Sequence, residues 1–392
     1  MFSPVRRRGF NSFDYLRRDS LLSTCQHGQV RRTSDSSLVG LQEKLTSRSL
    51  PLAYDYLSPQ PSHLLNLTLA DFLPGVAPAS SSNDSVATEL PSIYRPPRMP
   101  VGYHLIYFPP QVRESQLLSD GTDVLHTPGH PFDCRMWAGG WVRFPQEGGP
   151  LLNGSRAVCL EGIRDVTIKG REGEEKLFVG IERRVGQVSE QESEESIRGR
   201  LWTKNEHEDG DAVVVERRNL VFMRPKPPKQ ENLGDEKAVK DGRIVRAPSD
   251  PEYSHVILPS KSLLFRFSAL TFNAHSIHLD QHYAQNIEGY RNLLVHGPLS
   301  LTIMLTVLRC HFHKYRQAIR NIEYRNLAPL YVEEEMKVCT KRKQNGRPGA
   351  WDVWIEGSDG GLRVRGTVHT EEIEEDPEDR LAEGLPPGAT QI

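Results

Sequence analysis

The stretch TFNAHSIHLD, residues 271–280, places one amide and two imidazoles within a few residues of each other. Neutral imidazole, with a reference pKa of about 6.5, can accept and return a proton near physiological pH. The Asn273 amide is not a base, but it can donate to one group and accept from another, and so hold a water or a hydroxyl in place. Asn273, His275 and His278 are therefore candidates for proton transfer.

A second feature is the His296-Gly297-Pro298 step before the apolar run LSLTIMLTVL. Proline suits the first position of a helix, so the step predicts a helix start. Backbone N–H groups there are unpaired and carry partial positive charge, and a glycine lets a ligand carbonyl approach closely. Gly297 is thus a candidate for stabilising an oxyanion on a thioester or other acyl group, with a plain loop-to-helix junction as the alternative.

An amide and an imidazole that face an oxyanion site suffice to add water across an activated double bond, or to remove it. The carbonyl acidifies the α-carbon, His278 moves the proton, and the enolate rests on the helix start. Metal binding is a rival use, because His275, His278 and His296 could supply three imidazoles. No carboxylate follows at a recognised metalloenzyme spacing, so we expect no metal and no other cofactor. Structural histidines that bind backbone carbonyls stay open as the third reading.

The elements that must position these residues are mainly strands. Between residues 101 and 224 the strand-like segments include YHLIYF, WVRF and VVVERRNLVFM, with an acidic run at 189–196 that we interpret as a solvated loop. In the second half a strand, KSLLFRFSALTF, leads into the opening motif, and strands again follow the helix. That helix has almost no polar face before His311, so it must be covered nearly all round. Two such blocks would pair sheet edge to sheet edge.

Composition divides the chain into parts. The stretch 224–242 is rich in proline and then mixed in charge, which is typical of an interdomain linker. We predict a basic segment at 1–50, an N-terminal half at 51–224, a linker at 225–250, a C-terminal half at 251–375 that carries the motif, and a disordered acidic tail at 376–392.

Charge and cysteine content restrict the possible partners and compartments. The formal net charge of −2 does not favour nucleic acid or an anionic membrane as the main partner. The longest apolar run, 293–308, is too short and too interrupted to span a bilayer, so we expect a soluble protein. Five widely spaced cysteines without a CxxC pair predict free thiols in a reducing compartment.

The first 50 residues differ from the remainder of the chain. They hold nine Lys or Arg against four Asp or Glu, and several serines. This composition is compatible with a mitochondrial transit peptide that is removed before folding. A disordered basic tail is the alternative.

The stretch FRFSALTFNAHSIHLDQHYAQNIEGYRNLLVHGPL, residues 265–299, resembles the hydratase motif of MaoC-like hot-dog enzymes. The likeness is strongest to the mitochondrial 3-hydroxyacyl-thioester dehydratases and the mesaconyl-CoA hydratases. By this resemblance Asn273 takes the position of an Asp, His278 that of the catalytic His, and His296 and Gly297 the His-Gly before the central helix. Tyr283 matches the family's Tyr-Ala pair.

The stretch LLSDGTDVLHTPGHPFDCRMWAGGWVRF, residues 117–144, resembles the first half of the same family. It lacks the Asn-x-His-x-x-His pattern, so the resemblance implies a half that shapes the acyl tunnel and does not catalyse. Gly139 and Gly140 are candidates for the start of a helix in this half.

The resemblance implies an α+β double hot-dog, with two antiparallel sheets each wrapped around a central helix. The expected activity is that of a hydro-lyase that interconverts a (3R)-3-hydroxyacyl thioester and its trans-2-enoyl thioester. The expected setting is fatty acid synthesis in the mitochondrial matrix, with the acyl group on CoA or an acyl carrier protein. His278 would move the proton, with His275 as fallback, Asn273 would orient the water, and the Gly297 N–H would hold the thioester oxygen.

Two other functions remain open. One is hydration of mesaconyl-CoA, which needs a cation in the acyl pocket, and Arg266 is the nearest candidate in the sequence. The other is a non-catalytic acyl-thioester binding protein, because a fold does not imply a function. A duplicated chain predicts a pseudo-dimer within one chain, and a homodimer is possible.

Overall fold

A computed structural model describes the chain over residues 36–73, 76, 89–145, 149–225, 244–344 and 347–373. Its backbone contacts separate Met1–Val39 from Gly40–Ile392, and the fold and site below belong to the second unit. The predicted transit-like segment before residue 36, the linker residues 226–243 and the acidic tail lie outside the described residues.

In the part of the chain that the structure describes, ten strands and five α-helices form the framework. The helices are α1 (Ser36–Thr46), α2 (Pro59–Leu69), α3 (Glu194–Leu201), α4 (Lys261–Thr271) and α5 (Gly297–His313). The strands are β1 (Ala53–Tyr56), β2 (Cys134–Arg143), β3 (Arg156–Lys169), β4 (Lys176–Gln187), β5 (Val214–Met223), β6 (Tyr253–Ile257), β7 (Gln317–Asn326), β8 (Met336–Arg342), β9 (Ala350–Gly357) and β10 (Leu362–Glu372).

These strands form one antiparallel sheet in the order β1-β3-β4-β5-β2-β7-β10-β9-β8-β6. It contains two five-stranded sets, β1 to β5 (the N-terminal set) and β6 to β10 (the C-terminal set). From its outer edge inward, each set places its strands in the same order, namely first, third, fourth, fifth and second. They join where β2 pairs with β7, from Gly139 opposite Arg325 to Arg143 opposite Asn321. The predicted α+β class and edge-to-edge pairing are confirmed. The expectation of two sheets is corrected, because the unpaired edges of the two sets bond to each other and make one sheet.

The central helix α5 lies in the C-terminal half, where every side chain from Leu299 to Leu308 is buried. It packs against β7 and β2, so the prediction of a helix covered nearly all round is confirmed. Among the described residues of the N-terminal half, no equivalent long helix is found. The buried segment 101–108 contains only a 3₁₀ turn, Tyr103–Ile106. Pro109 and Pro110, directly after this segment, stop it from continuing as a helix. The predicted second central helix and the YHLIYF strand are both wrong.

Two other segments differ from their predictions. The segment KSLLFRFSALTF is helix α4 and not a strand: Ser260 accepts a hydrogen bond from the Leu263 N–H at 3.1 Å, and the buried side chains follow a helical spacing. Part of the acidic run is also helical, since α3 begins at Glu194 and Ser193 accepts from the Ser196 N–H at 3.2 Å. In both places a serine N-cap marked the helix start.

Gly139 and Gly140 do not start a helix but lie within β2, beside a break in its register with β5. Their φ angles are 128° and 155°. A Cβ atom on Gly139 would overlap the carbonyl oxygen of Tyr324 in β7, and one on Gly140 would overlap that of Arg217 in β5. Gly139 therefore allows β2 to approach β7 across the junction of the two strand sets, and Gly140 allows β2 to approach β5 within the N-terminal set.

We expect Gly140→Ala to lower the free energy of unfolding by roughly 1–3 kcal/mol or more, because the added methyl overlaps a backbone atom in a strained conformation. Chemical denaturation of the variant and the native protein measures this difference. Gly199→Ala is the matched control, because Gly199 lies within α3 with nothing near its Cβ direction. Equal stability of Gly140→Ala and the native protein would contradict this account of the contact between β2 and β5.

None of the described helices is long and apolar enough to cross a membrane. The four described cysteines, Cys134, Cys159, Cys310 and Cys339, are free thiols, as expected.

Candidate active site

A cavity of about 840 Å³ lies between the two strand sets. Its wall includes Asn273, His275, His278 and Gly297 from the C-terminal half. The N-terminal half contributes Trp137 and a group of charged side chains, among them Asp123, Arg135, Glu161, Arg183 and Arg218. The structure thus brings most of the predicted residues together around one space.

The loop that carries the two histidines is shaped by short local hydrogen bonds. Helix α4 ends at Phe272, which has a left-handed φ of 51°. The Asn273 side-chain oxygen then accepts from the His275 N–H at 3.0 Å, and a 3₁₀ turn follows at Ser276–His278. These bonds bury His275 and His278 and leave Asn273 half-buried at the cavity wall.

One ring nitrogen of His278 forms a hydrogen bond with the backbone, and the other carries a lone pair. Its Nδ1 lies 2.8 Å from the carbonyl oxygen of Leu294, and because a carbonyl can only accept, Nδ1 carries the proton. Nε2 therefore holds the lone pair that a general base needs. Burial, followed by the neighbouring His275, lowers the pKa of His278 to about 3, so the ring is neutral at physiological pH.

His296 packs against the ring of His278. The two rings stack with centroids 3.7 Å apart at an angle of 23°, and Phe267 packs edge-on against His296. His296 Nε2 lies 2.8 Å from the Ser268 hydroxyl, while its Nδ1 is buried without a partner among the described residues. Burial holds its pKa well below the ordinary value. His296 is fully buried and does not line the cavity, so its ring reaches the site only through the stack on His278.

His275 lies edge-to-face with His278, with ring centroids 5.4 Å apart. Its Nε2 is 3.4 Å from a carboxylate oxygen of Asp120, which belongs to the N-terminal half. Burial, assisted by the charge of Arg135, lowers the pKa of His275 to about 3. Two neutral imidazoles and one amide therefore face the cavity together.

Gly297 is the first residue of α5, and no side chain caps that helix start. The cavity reaches both Gly297 and Pro298, so the partial positive charge at the helix start faces the space. A Cβ on Gly297 would lie 2.9 Å from the Cβ of Trp137, which is closer than side chains pack. The glycine is therefore also required for the contact with β2, which the sequence did not reveal.

Two other predicted residues lie elsewhere. Arg266 is on the exposed face of α4 and does not line the cavity. Tyr283 belongs to a π-helical turn, Tyr283–Ile287, and its hydroxyl donates to Glu288 at 3.2 Å, also away from the cavity wall. The structure does not bring either residue together with Asn273 and His278.

Sequence reasoning missed Asp120, Trp137, Arg135 and Arg218. The Asp-Gly-Thr triplet at 120–122 is a recognisable turn, because the Asp side chain binds the backbone two residues later. That signal predicts the turn but not its neighbour His275, which is distant in the sequence. Trp137 and the arginines carried no local signal of a role.

The fold is shared with MaoC-like dehydratases. The crystal structure of a MaoC-like dehydratase from Phytophthora capsici matches with a TM-score of 0.51 and 14% identity, over 84% of this chain and 97% of that chain. Residues 102–332 match the family described as hydroxyacyl-thioester dehydratase type 2, which is more than half of the chain. The chain belongs to this family, and is therefore a hydro-lyase of the dehydratase and hydratase kind.

Two relatives cover most of the chain. A mitochondrial hydroxyacyl-thioester dehydratase type 2 from Schizosaccharomyces pombe is 28% identical, over 77% of this chain and 91% of the relative. A mesaconyl-C(4)-CoA hydratase from Chloroflexus aurantiacus is 30% identical, over 69% of this chain and 83% of the relative. The family resemblance expected from the motif at 265–299 is confirmed.

The lowered pKa values of the buried histidines make stability depend on pH. In the unfolded chain a histidine titrates near pH 6.5, but His278 in the folded protein titrates at about 3. Between these values the unfolded chain binds more protons, so the free energy of unfolding falls as the pH falls. We expect His278→Gln to reduce this decline, as measured by chemical denaturation at about pH 7 and about pH 5.

His130→Gln is the control for that measurement, because the His130 side chain is 85% exposed. It should keep the native pH dependence. If His278→Gln declines with pH as steeply as the native protein, His278 is not held neutral by burial.

Proposed function

We propose that this protein interconverts a (3R)-3-hydroxyacyl thioester and its trans-2-enoyl thioester. One observation carries the proposal: the lone pair of His278 Nε2 belongs to a neutral, fixed imidazole on the wall of a cavity that the start of α5 also lines. A base and an oxyanion site on one cavity wall are what proton removal beside a carbonyl requires.

In the direction of dehydration, the thioester oxygen accepts from the Gly297 N–H. His278 Nε2 takes the proton from C2, and the electrons of that C–H bond move onto the thioester oxygen as an enolate. Their return forms the C2=C3 double bond as the C3–O bond breaks. The departing hydroxyl receives the proton from His278 and leaves as water, held by the Asn273 amide. Hydration is the reverse, so the protein returns to its starting state without an added oxidant, reductant or cofactor.

Burial serves this step because it keeps His278 unprotonated before substrate arrives. When the proton moves, negative charge develops on the thioester oxygen close to the new imidazolium. An opposite charge nearby favours the charged form of histidine, so the ring becomes a better proton acceptor as the reaction proceeds.

We also propose a double hot-dog organisation, in which 51–224 forms the acyl pocket and 251–375 carries the catalytic groups, as a pseudo-dimer within one chain. The equivalent strand orders of the two sets and a cavity lined by both halves support this. The acyl group arrives on CoA or on an acyl carrier protein. We place the reaction in fatty acid synthesis in the mitochondrial matrix, and the mitochondrial relative from S. pombe supports the mitochondrial part of this proposal.

Hydration of crotonyl-CoA by the full chain, followed as loss of the enoyl thioester absorbance, tests the proposal. We expect turnover by the native protein and a loss of about 10²-fold or more in His278→Ala, because a general base is removed. His130→Ala is the matched control and should retain activity, since that side chain lies 85% exposed.

If the native protein fails with crotonyl-CoA, with longer enoyl thioesters and with mesaconyl-CoA, the chain is an acyl-thioester binding protein and not an enzyme. Activity in His278→Ala equal to that of the native protein would remove His278 from the mechanism but leave the reaction class standing.

A second candidate function, hydration of a short enoyl-CoA with a carboxylate such as mesaconyl-CoA, is favoured by Arg218. Its guanidinium lines the cavity, donates from Nε to Glu216 at 2.7 Å, and lies over the Trp137 ring at 4.8 Å. Among the described residues, no acceptor binds its terminal nitrogens. Trp137 also contacts Gly297, so Arg218 and the proposed oxyanion site at Gly297 both lie against this one tryptophan. The cation needed for a carboxylated acyl group is thus Arg218 and not Arg266.

We expect Arg218→Gln to lose about tenfold or more in kcat/KM for mesaconyl-CoA, because a charge-assisted hydrogen bond is removed, while crotonyl-CoA turns over nearly as before. Steady-state kinetics on both substrates measures this split. Arg171→Gln, an exposed arginine of the same half, is the control. Equal losses on the two substrates would show that Arg218 supports the fold and does not bind a carboxylate.

A further inference from the structure

The loop 117–123 of the N-terminal half touches the loop that carries the catalytic histidines. The backbone carbonyl of Asp120 accepts from the Ser276 N–H at 2.8 Å. Next to it, Gly121 has a φ of 81°, and a Cβ there would overlap the carbonyl oxygen of Ala274. A glycine at 121 is therefore needed for the two loops to meet, and the contact places Asp120 beside the active site.

The Asp120 carboxylate has a specific partner for each oxygen. Its Oδ1 accepts from the Thr122 N–H at 2.9 Å and from the Thr122 hydroxyl at 2.7 Å. Its Oδ2 lies 3.4 Å from Nε2 of His275, and the residue is only 6% exposed. Burying a carboxylate costs free energy unless it has partners, and Thr122 and His275 are the partners of Asp120.

The contact with Asp120 favours one tautomer of His275. The 3.4 Å between Nε2 and the Asp120 Oδ2 is an ion-pair distance, longer than an ordinary hydrogen bond, and a carboxylate at that place favours the tautomer with the proton on Nε2 and the lone pair on Nδ1. His278 has the opposite arrangement, with the proton on Nδ1 and the lone pair on Nε2. Both rings line the cavity.

A second charged pair lies near His275. Arg135 and Asp123 line the cavity and bind each other at 3.0 Å, and their charges act on the pKa of His275 in opposite directions, Arg135 lowering it and Asp123 raising it. Asp120 is the carboxylate in direct contact with His275. Asn273, on the same loop as His275, has a neutral amide that cannot supply a negative charge.

We infer that Asp120 is a positioning residue of this active site. It is a carboxylate of the N-terminal half that acts through His275 on the catalytic loop, in which Asn273 stands in place of an acid. This inference rests on the proposed hydro-lyase function. Asp120 holds His275 in one tautomer, so that its Nδ1 and the Asn273 amide together hold the water that enters or leaves. The N-terminal half thus takes part in catalysis and does not only enclose the acyl group.

Asp120→Asn tests the inference, because it removes the charge and keeps the shape, the backbone contact with Ser276 and an oxygen for Thr122. We expect a loss of about 10²-fold in kcat for crotonyl-CoA, with KM little changed, since the ring is misoriented and the substrate contacts remain. Asp133→Asn, the same exchange at a surface carboxylate that pairs with His130, should behave as the native protein. Native kcat in Asp120→Asn overturns the inference.

A double-mutant cycle separates this role from support of the fold. If Asp120 acts through His275, adding Asp120→Asn to His275→Ala should cause no further loss of kcat. Losses that multiply would show that the two residues act independently, which contradicts the inference.

A readout that does not depend on turnover completes the test. In ¹⁵N-histidine NMR spectra, with the His275 signals assigned by their absence in His275→Ala, the native ring should be protonated at Nε2. Asp120→Asn should change this tautomer. A tautomer that is unchanged by the substitution overturns the pairing. If the native protein hydrates no enoyl thioester but the tautomer depends on Asp120, the proposed function fails and the pairing of Asp120 with His275 stands.

Discussion

The pairing of β2 with β7 is the constraint on which this structure depends. It joins two five-stranded sets into one sheet, and Gly139 permits the close approach of β2 to β7. At the same junction, the Asn326 side chain of β7 donates to the Trp137 carbonyl of β2 at 2.9 Å, and Trp137 packs against Gly297. The active site is thus assembled at the place where the two halves bond, and either half alone would lack part of its wall.

Burial determines the charge state of the histidines at the site. The described imidazoles of the site are neutral because desolvation penalises their charged forms. The rings of His278 and His296 are oriented by hydrogen bonds, and that of His275 lies beside the Asp120 carboxylate. The N-terminal half contributes arginines and carboxylates to the wall, and these are largely paired with each other.

The local parts of the fold could be predicted where neighbours in the sequence decide them. The start of α5 followed from Gly297 and Pro298, and the later strands from their apolar alternation. Helix α4 was mistaken for a strand because an apolar run of this length fits both periods, and the serine before it was overlooked. The glycine pair of β2 was mistaken for a helix start, because a glycine shows only that close approach or a positive φ is needed and not what approaches.

The sequence by itself determined the chemistry that is available, namely an amide, imidazoles and a helix start within one motif, because residue type and short-range spacing suffice for that. Only the tertiary structure decided which ring nitrogen of His278 carries the proton and which distant residues contact the motif. It assigned the proton of His278 to Nδ1, brought Asp120 to His275, placed Trp137 against Gly297, and put Arg218 on the cavity wall and Arg266 outside it. Those contacts join residues distant in the chain, and their partners are fixed by strand register and burial, which no local pattern encodes.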